Sequence, residues 1–238
     1  MSHPLVVHKK FPHDVYCGRP SKWGNPFEIG KDGDRTEVIF KHRAWLIKNH
    51  ELMAQMWELQ DLTLGCWCAP QDCHCDTLAQ FTENGIYVFG GENEWLSNFY
   101  GDDEGAGSIE YFGTTYATNE HFFQAMKNKD PEYRQAVADL PWYAAGKAKR
   151  LGRQVILRPD WDAIKNKVMV HGLRLKFADK YLADKLAATY PYPLTECNVW
   201  HDVYWGVCVS SRCRPRHANH YGQNVLGRLL MQVREEMS

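Results

Sequence analysis

The sequence predicts an α+β protein, with a helix-dominated second domain preceded by a small α/β domain. Three observations carry this. Residues 1–84 alternate short β-branched runs with helical apolar stripes, residues 85–238 hold mostly helical stripes, and the break at "FTENGIY" separates the two. The boundaries are therefore drawn at 1–84 and 85–238.

Within the first part, "PLVVHKK" reads as a strand, followed by the loop "DVYCGRPSKWGNPFEIGKDGD". Helices are expected at Arg35–Asn49 and Glu51–Gln60, where Val38, Ile39, Trp45 and Leu46 mark one apolar face and Leu52, Met53, Met56 and Leu59 the other. "LTLGCWC" is a buried strand, and "HCDTLAQFTENG" a last helix with Asp76 or Thr77 near its start and Gly85 as its C-terminal cap. The second part has strands near Ile86–Phe89 and Ile109–Phe112, then a helix from Thr118. Further helices follow at Tyr133–Asp139, Tyr143–Leu151 and Asp162–Tyr190, the last one broken. Thr195–Asn198 and Tyr204–Val209 read as short strands. "NVLGRLLMQVREE" closes the chain with the apolar stripe Val225, Leu226, Leu229, Leu230 and Val233.

A formal net charge of -1 leaves no global field to draw in nucleic acid or a membrane surface. No apolar run approaches the roughly 20 residues of a membrane span, and "MSHPLVVHKKFPHD" lacks a signal-peptide core, so no membrane partner and a cytoplasmic location are expected. Eight cysteines in a chain rich in Trp, Tyr and Phe read as reduced thiols, because the aromatics already supply a core.

The stretch "TYATNEHFFQAMKNK" reads as one amphipathic helix with Thr118 as its N-cap. Glu120 then falls in the first turn, where the positive end of the helix dipole favours a carboxylate. Gln124 lies one turn on and Lys127 two turns on, about 10 Å from Glu120 at roughly 1.5 Å of rise per residue. That is too far for a simple ion pair, so something held between them is one reading. A solvated polar stripe opposite a phenylalanine core is the other.

Other polar residues sit in apolar frames. "LSNF" embeds Ser97 and Asn98; "AKRLGRQVILRPDWD" carries Lys149, Arg150, Arg153 and Arg158 before Trp161; "ECNVWHDVYWGV" mixes Glu196, His201 and Asp202 with tryptophans. Taken in order, "LSNFY", "EH-x-x-QAMK", "A-K-x-x-GR", "DW", "L-T-E", "D-x-x-WG" and "GQN-x-LG-x-LLM-x-VR" resemble the NADAR family from about Val88 to Arg234. The resemblance implies a helix-dominated catalytic domain that hydrolyses the bond between ribose C1 and a nitrogen. The family's substrates are ribosylamino-pyrimidine phosphates of the riboflavin pathway and ADP-ribose attached to guanine. It implies no metal or organic cofactor.

Breaking that bond builds positive charge on the ribose. Glu120 is the residue expected to stabilise it or to activate water, with Asp202 as a second carboxylate. Lys127 is assigned to the catalytic set in one of two roles. As a neutral amine it would attack C1 of an opened ribose; as a cation it would hold phosphate or hydroxyl groups. Trp161 offers a flat wall for base or sugar. Lys147, Arg153 and Lys176 are expected phosphate contacts. Asn98, Phe99, His121, Gln124, Trp205 and Asn224 complete the substrate-binding set, although Asn224 reads more readily as a cap of the last helix and His201 as structural. The basic segment Arg212–His220, where the family crosses with a short connection, is either a contact for a polynucleotide backbone or a solvated insertion.

"GCWCAPQDCHCD" gathers Cys66, Cys68, Cys73 and Cys75, a set that could hold zinc. Its spacing departs from the usual paired knuckles. The site is read as thiols at a strand-to-helix junction and no metal is assigned. "GRPSKWGNPF" with "CWCAPQDCHCD" is similar to a small uncharacterised domain over roughly residues 5–80, in which Arg19, Ser21, Lys22 and Asn25 are donors available to a phosphate or nucleotide. The rival to an enzyme is a sensor module that binds ADP-ribose or a nucleotide without turning it over.

Overall fold

A computed structural model describes residues 5–210 and 222–237. The chain packs as two units. One comprises residues 1–87 with 190–231, the other 88–189 with 232–238. The Arg212–His220 segment lies outside the described residues.

The first unit is built on a three-stranded parallel sheet in the order β1 (Val6–His8), β3 (Leu64–Cys66), β2 (Val15–Tyr16). Central β3 is buried along its whole length, which explains why "LGC" shows no polar alternation. Helix α1 (Arg35–Lys48) starts at a capping box between Asp34 and Glu37. The single helix expected at Glu51–Gln60 is instead α2 (His50–Met53) followed by a 3-10 turn at Met56–Leu59. Met53, Met56 and Leu59 are buried at three-residue spacing, the period a 3-10 turn puts on one side. Helix α3 is His74–Asn84 and is capped by Cys73, ahead of the expected Asp76 or Thr77. Gly85 ends it in an extended conformation rather than a left-handed one. The strand expected at Ile86–Phe89 reduces to one bridge, Ile86 to Leu194.

The second unit has a hairpin of β4 (Ile109–Tyr111) and β5 (Thr114–Tyr116), then α4 (Asn119–Ala125), α5 (Pro131–Ala138), α6 (Ala145–Gln154), α7 (Trp161–Lys176) and α8 (Lys180–Ala188). β2 and β5, unforeseen in the sequence, are too short to show a period. The expected break in Asp162–Tyr190 falls between α7 and α8. β6 (Cys197–Asn198) and β7 (Val207–Cys208) pair in parallel within the first unit, and α9 spans Val225–Glu236. No described helix is long and apolar enough to cross a membrane.

Helix α4 is the centre of the second unit. All its residues from Asn119 to Ala125 are buried, so it has no solvated face. Two glycines let its neighbours approach this closely. A Cβ on Gly152 of α6 would overlap Gln124 Oε1, and one on Gly172 of α7 would overlap Asn119 Oδ1 and crowd the Phe122 ring.

Candidate active site

The site grows from the start of α4. Thr118 caps the helix, and its hydroxyl meets His121 Nδ1 at 2.8 Å. The Glu120 N–H donates to the Asn98 carbonyl at 2.8 Å, and Asn119 Nδ2 donates to Asn98 Oδ1 at 2.8 Å. Asn98 of "LSNF" thus fastens an incoming loop to the first turn of α4. Asn98 is itself buried, with Nδ2 3.5 Å from Met169 Sδ. Its side chain therefore fixes the backbone on which Glu120 stands.

Glu120 is 4% exposed and accepts a hydrogen bond from Gln124 Nε2 at 2.8 Å. Gln124 Oε1 is buried with no hydrogen-bond partner among the described residues. Such an oxygen is costly to leave unmet. The helix expected to run to Lys129 stops at Ala125, because Met126 caps it and the Lys127 N–H turns back to Gln124 O. Lys127 therefore leaves the helix and reaches α6, where Nζ donates to Gly152 O at 2.9 Å and lies 5.9 Å from the Phe123 ring centre.

Burial pushes the Lys127 amine below the ordinary lysine range; Glu120 opposes the shift, while Lys149 and Arg153 add to it. Lys149 was not among the residues selected from the sequence. Its four-residue spacing from Arg153 puts both on one side of α6, a signal available to a helical reading. Its Nζ stands 5.5 Å from the ring centre of Phe99, which is 40% exposed. Lys147 and Arg153 are exposed. Trp161 is buried at the start of α7, its ring 5.0 Å from that of Phe123.

Two expected contacts lie deeper than a surface ligand site needs. Lys176 is 1% exposed, donates to Ser97 O at 2.6 Å and sits beside the rings of Tyr100 and Phe177; burial lowers its amine to about 7. It braces the "LSNF" loop from below. His121 is fully buried, and burial lowers it to about 4, which keeps the ring neutral where it meets Thr118.

The model of the NADAR domain matches residues 87–238, and that of a domain of unknown function (DUF4326) matches residues 6–84. The chain belongs to the NADAR family. It is 35% identical over 156 residues to N-glycosidase YbiA of Shigella flexneri serotype 5b, covering 60% of this chain and 89% of that protein. A riboflavin biosynthesis protein of Vibrio vulnificus is 34% identical, over 68% of this chain and 41% of its own length. The solution structure of YbiA from E. coli superposes with a TM-score of 0.51 at 34% identity, covering 64% of this chain and 82% of that one. The fold is thus a YbiA-like α+β fold, and the enzyme class is that of the glycosidases.

The NADAR match also takes in Asp202, Trp205 and Asn224, all in the first unit. Asp202 Oδ1 accepts from the Tyr204 and Trp205 N–H groups at 3.1 and 2.9 Å, and the Asp202 backbone exchanges hydrogen bonds with the Asn198 amide. The carboxylate holds its own turn and carries the half-buried Trp205 with it. Asn224, fully buried at φ 48°, donates to Ala54 O and Leu194 O and accepts from Glu196 N. It ties three segments of the first unit together.

Also in the first unit lies a cavity of about 300 Å³, lined among others by Arg19, Asn25, Arg35, Cys66, Cys73 and His74. Of the donors expected there, Lys22 is engaged by Gln55 and Glu58. Asn25 is spent on Val38 O and Phe27 N, and Arg19 pairs with Glu28. The four-cysteine set does not assemble as spaced: Cys66, Cys73 and Cys75 group with His74, and Cys68 stands outside.

Proposed function

We propose that this NADAR enzyme hydrolyses the C1–N bond of an ADP-ribosylated guanine, as a nucleotide or within nucleic acid. The observation that carries the reading is the partly buried Lys127 amine, weakened as a base, on the same short segment as the buried Glu120. A carboxylate of this kind stabilises the oxocarbenium-like ribose or takes a proton from attacking water. Water then adds its hydroxyl to C1 while its proton goes to the departing base. In the covalent version the neutral Lys127 amine attacks C1 and the base leaves with one amine proton; the C1–O bond of the ring then opens, its oxygen taking the second amine proton, and water cleaves the imine so formed to return the lysine. Lys149 and Arg153 suit the phosphates of such a substrate. Residues 85–238 form the glycosidase part of this reading and residues 1–84 an accessory part.

A second substrate class, the ribosylamino-pyrimidine phosphates, is favoured by the similarity to a protein named for riboflavin biosynthesis. A panel holding both classes, with released base separated by chromatography, tests the reading. Release from the guanine adduct supports it. Release from the pyrimidine compound alone moves the assignment to the second class. Saturable binding of ADP-ribose with no release from either would make the protein a sensor.

A further inference from the structure

The geometry points to a metal site in the first unit: we propose that Cys66, Cys73, Cys75 and His74 Nδ1 bind one zinc ion in a closed tetrahedron. One ligand atom from each of these four buried residues lies within 4.8 Å of all the others. Zinc–sulfur bonds of about 2.3 Å and zinc–nitrogen bonds of about 2.0–2.1 Å place neighbouring ligand atoms about 3.5–3.8 Å apart. Cys73 Sγ and His74 Nδ1 already stand 3.6 Å apart. Cys75 Sγ lies 3.7 Å from the ring's Nε2, so tetrahedral spacing about Nδ1 is reached by side-chain rotation within the group.

Two further features fit a bound cation. His74 Nε2 is 2.8 Å from Cys17 O, so a proton on Nε2 leaves the Nδ1 lone pair free for a metal. The Cys75 N–H points at Cys73 Sγ, 3.5 Å away at the start of α3, an arrangement that stabilises a thiolate. Three thiolates, a neutral imidazole and a divalent ion leave one negative charge, placed at the positive end of a helix. The three thiol protons go to solvent on binding. Thiolate-rich tetrahedra select zinc over magnesium or calcium. With four protein ligands there is no open coordination position, so the ion is structural. It joins the end of β3 to the start of α3 and fixes the wall that Cys66, Cys73 and His74 give to the 300 Å³ cavity.

Two neighbours lie outside the set. Cys68 is half-buried and not among the grouped atoms; Cys17 packs beside Cys75 but directs its thiol toward Val15 O at 3.7 Å. The experiment uses the full chain with any tag removed, expressed in zinc-supplemented medium. Elemental analysis should find about one zinc per chain, and X-ray absorption should show three sulfurs and one nitrogen at the distances above. Cys68→Ser and Cys17→Ser should keep the metal, whereas Cys75→Ser should lose it. Wild-type protein with less than about a tenth of an equivalent of zinc would overturn the proposal. So would an iron- or copper-loaded site, a four-sulfur shell, or loss of zinc in Cys68→Ser. The wild-type measurements decide the matter even where Cys75→Ser does not fold, and they are independent of glycosidase activity.

Discussion

Two buried polar clusters of this molecule are built on opposite terms. Around α4 and α6 the groups are complementary: Gln124 donates to Glu120, Lys127 donates to Gly152 O, and Asn98 accepts from Asn119. At the β3–α3 junction three thiols and an imidazole, all of them metal ligands by type, face one another with no carboxylate or ammonium in the group. A complementary cluster is held by the chain itself and can be aimed at a substrate. A cluster of metal ligands is held best by something that satisfies all of its members at once. The difference teaches that a buried polar group is read from what it bonds to, and its spacing in sequence is only the first hint.

The largest test of this contrast is at Lys127. Lys127→Ala should lower base release on the order of 10²–10⁴-fold, the range for losing a group that acts on the reacting atoms. In the covalent version, borohydride with substrate also leaves an adduct on Lys127 of the wild-type protein. A clean peptide map would remove that version while leaving the charged one.

Next comes a buried lysine without a carboxylate beside it. Lys176 has a folded pKa of about 7 against an ordinary value of 10.5, so between these pH values the unfolded chain holds a proton that the folded chain lacks. Stability should therefore rise with pH through this window, by at most about 1.4 kcal/mol per pH unit, with the full penalty present below pH 7. Urea unfolding at several pH values checks this, and Lys176→Met should flatten the slope.

A smaller effect is steric. Gly152→Ala forces a methyl group onto Gln124 and should cost about 1–3 kcal/mol in chemical denaturation. Gly146→Ala, on the same helix with only the Arg150 guanidinium nearby, should be neutral or slightly stabilising. Equal effects of the two would dissolve the claim that α4 and α6 meet through Gly152. Smallest of all, Lys149→Ala removes a cation that holds the Lys127 amine down. The acid limb of the pH–rate profile should move to higher pH if the neutral amine reacts.

Much of this arrangement was legible in the sequence. The Thr118 cap, the closeness of Glu120 and Gln124 and most helices follow from local signals that the structure obeys. The end of α4 was not legible, because nothing before Lys127 is a helix breaker; the Met126 N–H closes the helix on the Phe122 and Gln124 carbonyls. Nor was the burial of Lys176. Lysine near the end of an amphipathic helix reads as solvated, and only the "LSNF" carbonyl above it, 79 residues away, shows where the amine goes. Cys68 looked equivalent to its neighbours because alternate residues of a strand share a face. The strand ends at Cys66, and that rule ends with it.

The most direct test of the catalytic assignment separates binding from bond cleavage at Glu120. Wild-type protein and Glu120→Gln would each be titrated with ADP-ribosylated guanosine by calorimetry, and each then assayed for free base by chromatography. A carboxylate acting on the glycosyl carbon predicts that the variant keeps its affinity while its release rate falls on the order of 10²–10⁴-fold. Release at the wild-type rate by Glu120→Gln would contradict the assignment.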